Sequence, residues 1–126
     1  MPTFRKVPVP ATLFMLLIAP LRPAWEVQVV DAAGRVGDYT SLAIDSQDRP
    51  HISYYSYDDG GTLKYARWDG STWLIERPNT SATNIGQYSS LALDGNGYPV
   101  IAYYYAGPAD LGMSRWDCLL YTSPSP

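Results

Sequence analysis

Gly37-Asp-Tyr-Thr-Ser-Leu-Ala-Ile-Asp-Ser-Gln-Asp-Arg-Pro-His-Ile-Ser-Tyr-Tyr-Ser-Tyr-Asp-Asp59 and Gly86-Gln-Tyr-Ser-Ser-Leu-Ala-Leu-Asp-Gly-Asn-Gly-Tyr-Pro-Val-Ile-Ala-Tyr-Tyr-Tyr-Ala-Gly-Pro108 are two copies of one pattern. Laid on one another with a shift of 49, ten of 23 positions are identical, among them Gly37/Gly86, Tyr39/Tyr88, Asp45/Asp94, Pro50/Pro99 and Tyr54/Tyr103. A one-residue deletion then changes the shift to 48, and Leu63/Leu111, Arg67/Arg115, Trp68/Trp116 and Asp69/Asp117 match. Trp25 and Trp73 are also 48 apart. Working outward, residues 25–72 form one full repeat and residues 73–117 most of a second.

Each repeat reads as four short strands. Trp25–Val30 and its counterpart Trp73–Arg77 open the two copies. Ser41–Asp45 follows and ends in the turn Asp45-Ser-Gln-Asp-Arg-Pro50. His51–Tyr57 comes next and ends at the turn formers Asp58-Asp-Gly-Gly61. Leu63–Asp69 is last, and Asp69-Gly-Ser-Thr72 is a tight hairpin signal leading into Trp73. In the third strand Ile52 and Tyr54 point one way and Ser53, Tyr55 and Tyr57 the other. Bulk on both faces predicts cover on both sides.

A four-stranded repeat of 48–49 residues falls in the range of propeller blades, where each blade is sandwiched between neighbours. The expected fold class is therefore all-β, a fragment of a β-propeller with about two four-stranded antiparallel blades. A repeat cannot bury its own faces. Two blades leave one apolar face of each exposed, which predicts a polypeptide that aggregates or partly unfolds on its own, with the missing blades of the same chain as its natural partners.

The string from Ser41-Leu-Ala-Ile-Asp45 through Pro50-His-Ile-Ser-Tyr-Tyr55 to Leu63-Lys-Tyr-Ala-Arg-Trp-Asp-Gly-Ser-Thr-Trp73 resembles a tandem repeat of large secreted or surface proteins of bacteria and archaea. That resemblance covers residues 25–117 and implies a propeller. Asp69-Gly-Ser-Thr-Trp73 also resembles the Asp-box of sialidase-type propellers, Ser-x-Asp-x-Gly-x-Thr-Trp, with the Asp-to-Trp spacing one residue short and Arg67 at the Ser position. In that family the box is a structural turn. The same residues resemble the Trp-Asp-Gly-x-x-Trp segment of some propeller lectins, which implies sugar binding between blades.

Composition agrees with a folded β protein. Hydrophobic residues make up 46% and charged residues only 17%, the reverse of a disordered chain. Residues 25–117 carry six Lys/Arg against all twelve Asp/Glu. Phosphate backbones need a basic face, so nucleic acid is excluded as a partner class.

The ends read differently. Arg5 and Lys6 precede an apolar run, Val7–Ala19, of signal-peptide length and too short for a stable membrane span. Residues 1–24 are expected to be an export leader, with an ordinary N-terminal leader or mis-called start as the alternative. The first reading implies a secreted or cell-surface protein. Cys118-Leu-Leu-Tyr-Thr-Ser-Pro-Ser-Pro126 resembles a translated transposase sequencing adapter, and 118–126 is expected to be a non-native tail; a natural Pro/Ser-rich tail is the alternative. Cys118 is the only cysteine, so residues 1–117 hold no thiolate nucleophile or disulfide.

Candidate ligand contacts are Tyr55, Tyr57, Asp58, Arg67 and Trp68. Flat aromatic rings stack on the C–H faces of a pyranose, and charged planar groups fix its hydroxyls. Tyr57 and Asp58 become Ala106 and Gly107 in the second copy, and such variation is where one-off function resides. Arg67 and Arg115 could read a carboxylate sugar or pair with a carboxylate within their own blade. The same choice between stacking on sugar and packing between blades holds for Tyr54 and Trp73. His51 is the only histidine and aligns with Val100, a packing or surface position. The acids Asp45, Asp48, Asp58, Asp59 and Asp94 are expected in turn hydrogen bonds. With no phosphate loop, nucleophile elbow or His-rich spacing, no catalytic residue, metal or cofactor is assigned. The function expected is non-catalytic binding of a glycan or surface ligand. The alternatives are a sialidase-like or other glycoside hydrolase whose acids lie on other blades, and a structural surface spacer.

Overall fold

The computed structural model describes residues 22–117; most of the leader and the whole of 118–126 lie outside them. Seven strands run in order: β1 (Val36–Ile44), β2 (Pro50–Ser56), β3 (Thr62–Trp68), β4 (Trp73–Glu76), β5 (Ile85–Leu93), β6 (Pro99–Tyr105) and β7 (Asp110–Arg115). They form two open antiparallel sheets, a four-stranded one in the order β1-β2-β3-β4 and a three-stranded one in the order β5-β6-β7. The fold is all-β; its one helical turn among the described residues is a 3-10 turn over Asp58–Gly60. No helix among the described residues is long and apolar enough to cross a membrane.

The repeat seen in sequence is a repeat of structure. β1 and β5 carry the same irregularity at the same place, with φ of +104° and +105° at Gly37 and Gly86 and +53° at both Tyr39 and Tyr88. The Asp45 and Asp94 turns are also built alike. Asp45 Oδ1 accepts from the N–H groups of Gln47 (2.8 Å) and Arg49 (3.0 Å), and Asp94 Oδ1 from those of Asn96 (2.8 Å) and Tyr98 (3.0 Å). These are the expected aspartate turns.

One expected strand is absent. Trp25–Val29 is irregular chain, with Trp25 at 96%, Val27 at 88% and Val29 at 78% exposure. A strand needs a ladder partner, and the edge of β3 is already occupied: Trp68 pairs with Trp73, Arg67 with Leu74, Ala66 with Ile75 and Tyr65 with Glu76. The segment expected to open the second copy thus closes the first sheet through the Asp69–Thr72 hairpin, where Asp69 Oδ1 accepts from the N–H groups of Ser71 and Thr72.

Residues directly opposite across a ladder share a face. The front of the first sheet carries Ser41, Ala43, His51, Ser53, Tyr55, Leu63, Tyr65 and Arg67, and its back carries Leu42, Ile44, Ile52, Tyr54, Lys64, Ala66 and Trp68. The core lies between this front and one face of the second sheet, where Leu63, Tyr65, Ile85, Leu91, Ile101 and Tyr103 are buried together. Ser89 Oγ donates to the Tyr39 carbonyl at 2.9 Å, which leaves Ser53 as the donor in the 2.8 Å Ser53–Ser89 bond. The Leu91 N–H donates to Ser41 Oγ at 3.0 Å. At the back, Tyr54 and Lys64 both donate to Asp31 Oδ2, at 2.8 and 2.6 Å. β2 is accordingly buried on both faces, as its sequence predicts.

Candidate functional site

The five residues singled out from sequence lie in two places. Tyr55, Tyr57 and Asp58 gather at the end of the first sheet where β2 leads to β3. Tyr55 is buried and meets the rings of Tyr39 (5.9 Å) and Tyr57 (4.9 Å) edge-on. The Arg35 guanidinium lies 3.8 Å over the Tyr57 ring, and the Tyr57 hydroxyl donates to Asp38 Oδ2 at 2.7 Å. That bond, followed by burial, raises the phenol's pKa. Asp58 is exposed, and its N–H donates to Ser56 Oγ. Arg67 and Trp68 sit at the opposite end of β3, about 13 Å from the level of Tyr55 at ~3.3 Å per residue. Trp68 lies on the back face against Trp73, ring centroids 5.5 Å apart. Of these two, Arg67 turns toward the second sheet, on the same face as Tyr55.

Arg67 opens onto a polar depression between the sheets, a cleft of about 330 Å³. The first sheet lines it with Asp45, Arg49, His51, Tyr65, Arg67 and Glu76, and the second with Asn96, Tyr98, Pro99 and Trp116. A smaller hollow continues from it past Tyr65, Glu76, Pro99 and Trp116 to Arg77 and Arg115. The rings of Tyr98 and Trp116 pack 4.7 Å apart.

The wall from the first sheet is a fixed polar chain. His51 is 5% exposed; its Nδ1 lies 2.6 Å from the Tyr65 hydroxyl and its Nε2 3.1 Å from Asp45 Oδ2. A carboxylate only accepts, so Nε2 carries a proton, and in the neutral ring Nδ1 then accepts from the Tyr65 O–H. Burial alone would raise the Asp45 carboxyl. The N–H of Arg49, the His51 ring, the N–H of Gln47 and the Arg49 side chain outweigh it and hold the group well below the usual carboxylate range. Burial pushes the Tyr65 phenol up to about 12. Arg49 Nε closes the chain on Asp45 Oδ2 at 2.9 Å.

The remaining cations are loosely held. Arg67 Nε is 4.0 Å from Glu76, and Arg115 is 3.8 Å from Asp94. These distances fit pairing with a carboxylate in the same blade. Arg77 reaches Asp59 at 3.5 Å through Nη1, while its buried Nε has no hydrogen-bond partner. A buried donor without an acceptor costs about 1–3 kcal/mol. Among the described residues no three His, Cys, Asp or Glu side chains come together as a metal site would require.

The sequence marks His51 as a packing or surface position because Val100 takes its place in the second copy. The signal for its partners lay in the same alignment: Tyr65 becomes Met113 where His51 becomes Val100, so donor and acceptor are replaced together. Tyr98 and Trp116 become visible as a pair only when β6 and β7 are laid side by side.

Comparison with known proteins finds no matching family model, no matching curated protein and no matching solved structure.

Proposed function

We propose that residues 25–117 are adjacent blades of a β-propeller in an exported or cell-surface protein, and that the cleft between the two sheets binds a hydroxyl-rich ligand, carbohydrate above all, without catalysis. The supporting feature for the blades is that two sheets of one repeat stack face to face, with β1 and β5 side by side. The observation that carries the ligand reading is a cleft that joins the Tyr98–Trp116 aromatic wall to the guanidinium of Arg67, with Arg77, whose buried Nε–H has no hydrogen-bond partner, in the hollow that adjoins it. Aromatic surface with a few convergent hydrogen-bonding groups is the composition of a small-ligand site. A depression of this volume takes one or two sugar rings, and a hydroxyl oxygen would supply the acceptor that Arg77 Nε lacks.

The test is a glycan array probed with the full chain, followed by titration of whichever oligosaccharide is retained. Trp116→Ala and Arg67→Ala should each weaken binding about tenfold or more, as truncating an aromatic or arginine anchor does. Tyr57→Ala, remote from the cleft, should leave binding unchanged. Retention unaffected by Trp116→Ala and Arg67→Ala, or no retention at all, refutes the assignment.

A further inference from the structure

The contact between the two sheets is head to tail, and this decides what fits the faces left open. The front of the first sheet meets the back of the second. By the repeat, Ser41, Tyr55, Leu63 and Tyr65 correspond to Ser90, Tyr104, Leu111 and Met113. The first set faces the second sheet, with Tyr55, Leu63 and Tyr65 buried against it. The second set lies in the open, with Leu111 at 85% and Met113 at 63% exposure, along a shallow groove of about 350 Å³ that includes Tyr88, Ser90, Tyr104 and Leu111. The back of the first sheet is the other half of the same relation: Leu42 and Ile44, exposed at 62% and 53%, correspond to Leu91 and Leu93 at the covered back of the second sheet.

Two further features fit the same joint. Gly86 packs so closely on Leu63 that an added Cβ would lie 2.6 Å from the Leu63 Cα; Gly37, its counterpart, has nothing within 4 Å, and Leu111, the counterpart of Leu63, is uncovered. Among the described residues the second sheet has no counterpart of the strand that β4 gives the first, and Trp25–Gln28, which matches β4 in sequence, lies without a ladder. In the register of β3 and β4, Trp25 would oppose Trp116, Glu26 would oppose Arg115 and Val27 would oppose Ser114, which sets a carboxylate beside a guanidinium.

We infer that a second copy of this chain docks head to tail on the first: its Trp25–Gln28 segment pairs with the β7 edge, and the back of its first sheet, with Gly37 over Leu111, covers the open front of the second sheet. This repeats between chains the relation already present within one, and it does not depend on what occupies the cleft. A heterologous joint of this kind leaves both ends free, so copies add until a ring closes or a chain extends. Strand addition at an exposed sheet edge supplies the main-chain part of the affinity, and the apolar faces supply the rest.

The experiment uses sedimentation velocity on the full chain and two variants blocked on one side only. Leu111→Asp closes the front, and Leu42→Asp closes the back; both positions are exposed in the single chain, so both variants keep its fold, which circular dichroism verifies. The unaltered chain should form oligomers, each variant alone should be monomeric, and an equimolar mixture should stop at a one-to-one dimer. Adding Glu26→Arg to the Leu111→Asp chain should weaken that dimer roughly tenfold. Adding Arg115→Glu to its Leu42→Asp partner should recover most of the loss. Self-association of either single-side variant would show a symmetric or unspecific contact and overturn the inference. A mixture that stays monomeric, or a monomeric unaltered chain, overturns it equally. A dimer insensitive to the charge exchange overturns the strand pairing.

Discussion

Replacing Gly86 and Gly37 by alanine should separate backbone strain from the packing of one sheet on the other. The two glycines have almost the same φ, +105° and +104°, a region that costs an L side chain about 1–3 kcal/mol. They differ in surroundings. A Cβ on Gly86 would fall 2.6 Å from Leu63 Cα, 2.7 Å from its Cβ and 2.9 Å from its backbone nitrogen, whereas Gly37 meets nothing within 4 Å. Main-chain atoms within β3 cannot swing aside, so relief requires the sheets to part, an overpacking cost of about 1–3 kcal/mol. Gly86→Ala should therefore destabilise by about 2–6 kcal/mol and Gly37→Ala by only the backbone share, about 1–3 kcal/mol. The assay is urea unfolding followed by tryptophan fluorescence, run in the Leu111→Asp background so that no second chain covers Gly37. Equal losses from the two substitutions would refute the close approach of β5 to β3, and with it the head-to-tail relation of the sheets.

Stability should fall on both sides of neutrality. The carboxyl of Asp31 is held low, burial being outweighed by the Lys64 ammonium, the Ala33 N–H and the Tyr54 hydroxyl; Asp69 and Asp94 are held low by turn N–H groups, and Asp45 as described. A depressed folded-state pKa gives stability that is complete above the unfolded value of about 4 and is lost progressively below it, as the pH falls through the folded-state value. Urea midpoints should thus decline from pH 4 downward, and Asp45→Asn, which keeps an oxygen for the turn, should flatten that decline; an unchanged acid limb would deny the Asp45 network its role. On the alkaline side burial raises both Tyr54 and Tyr65, so their contribution is complete below about pH 10 and should drain toward pH 12. Tyr65→Met should cost about 1–3 kcal/mol by leaving His51 Nδ1 without its donor. Tyr65→Met combined with His51→Val, the pairing of the second copy, should cost measurably less than the sum of the two single changes, and strict additivity in urea unfolding would rule out their coupling.

The strands were legible because their signals are local. Alternation through Ile52, Ser53, Tyr54 and Tyr55, the aspartate turns and the Asp69–Thr72 hairpin each act within a few residues, and the duplication confirms them by repetition. Trp25–Val30 has the same local character as β4 and yet is not a strand, because a ladder needs a neighbour and sequence alternation does not say which edge supplies it. The site was harder to see for a similar reason. The rings of Tyr55, Tyr57 and Trp68 meet Tyr39, Arg35 and Trp73 and lie outside the lining of the cleft. The cleft is assembled from residues up to about seventy positions apart, and of the five candidate ligand contacts read from sequence only Arg67 lines it.

The boundary of the repeat and the boundary of the sheet therefore differ by one strand, and that offset has a mechanical consequence. A unit counted from Trp25 gives its first strand to the sheet before it and takes its last from the unit after it, as β4 shows within this chain. Such interlocking ties neighbouring units by main-chain hydrogen bonds as well as by apolar contact, and among the described residues the β7 edge and the Trp25–Gln28 segment, of matching register, both stand without a ladder partner. Bare edges recruit strands. Here the strand best shaped for the β7 edge is one the chain itself carries, which is why the charge exchange between Glu26 and Arg115 is the sharpest probe of the arrangement.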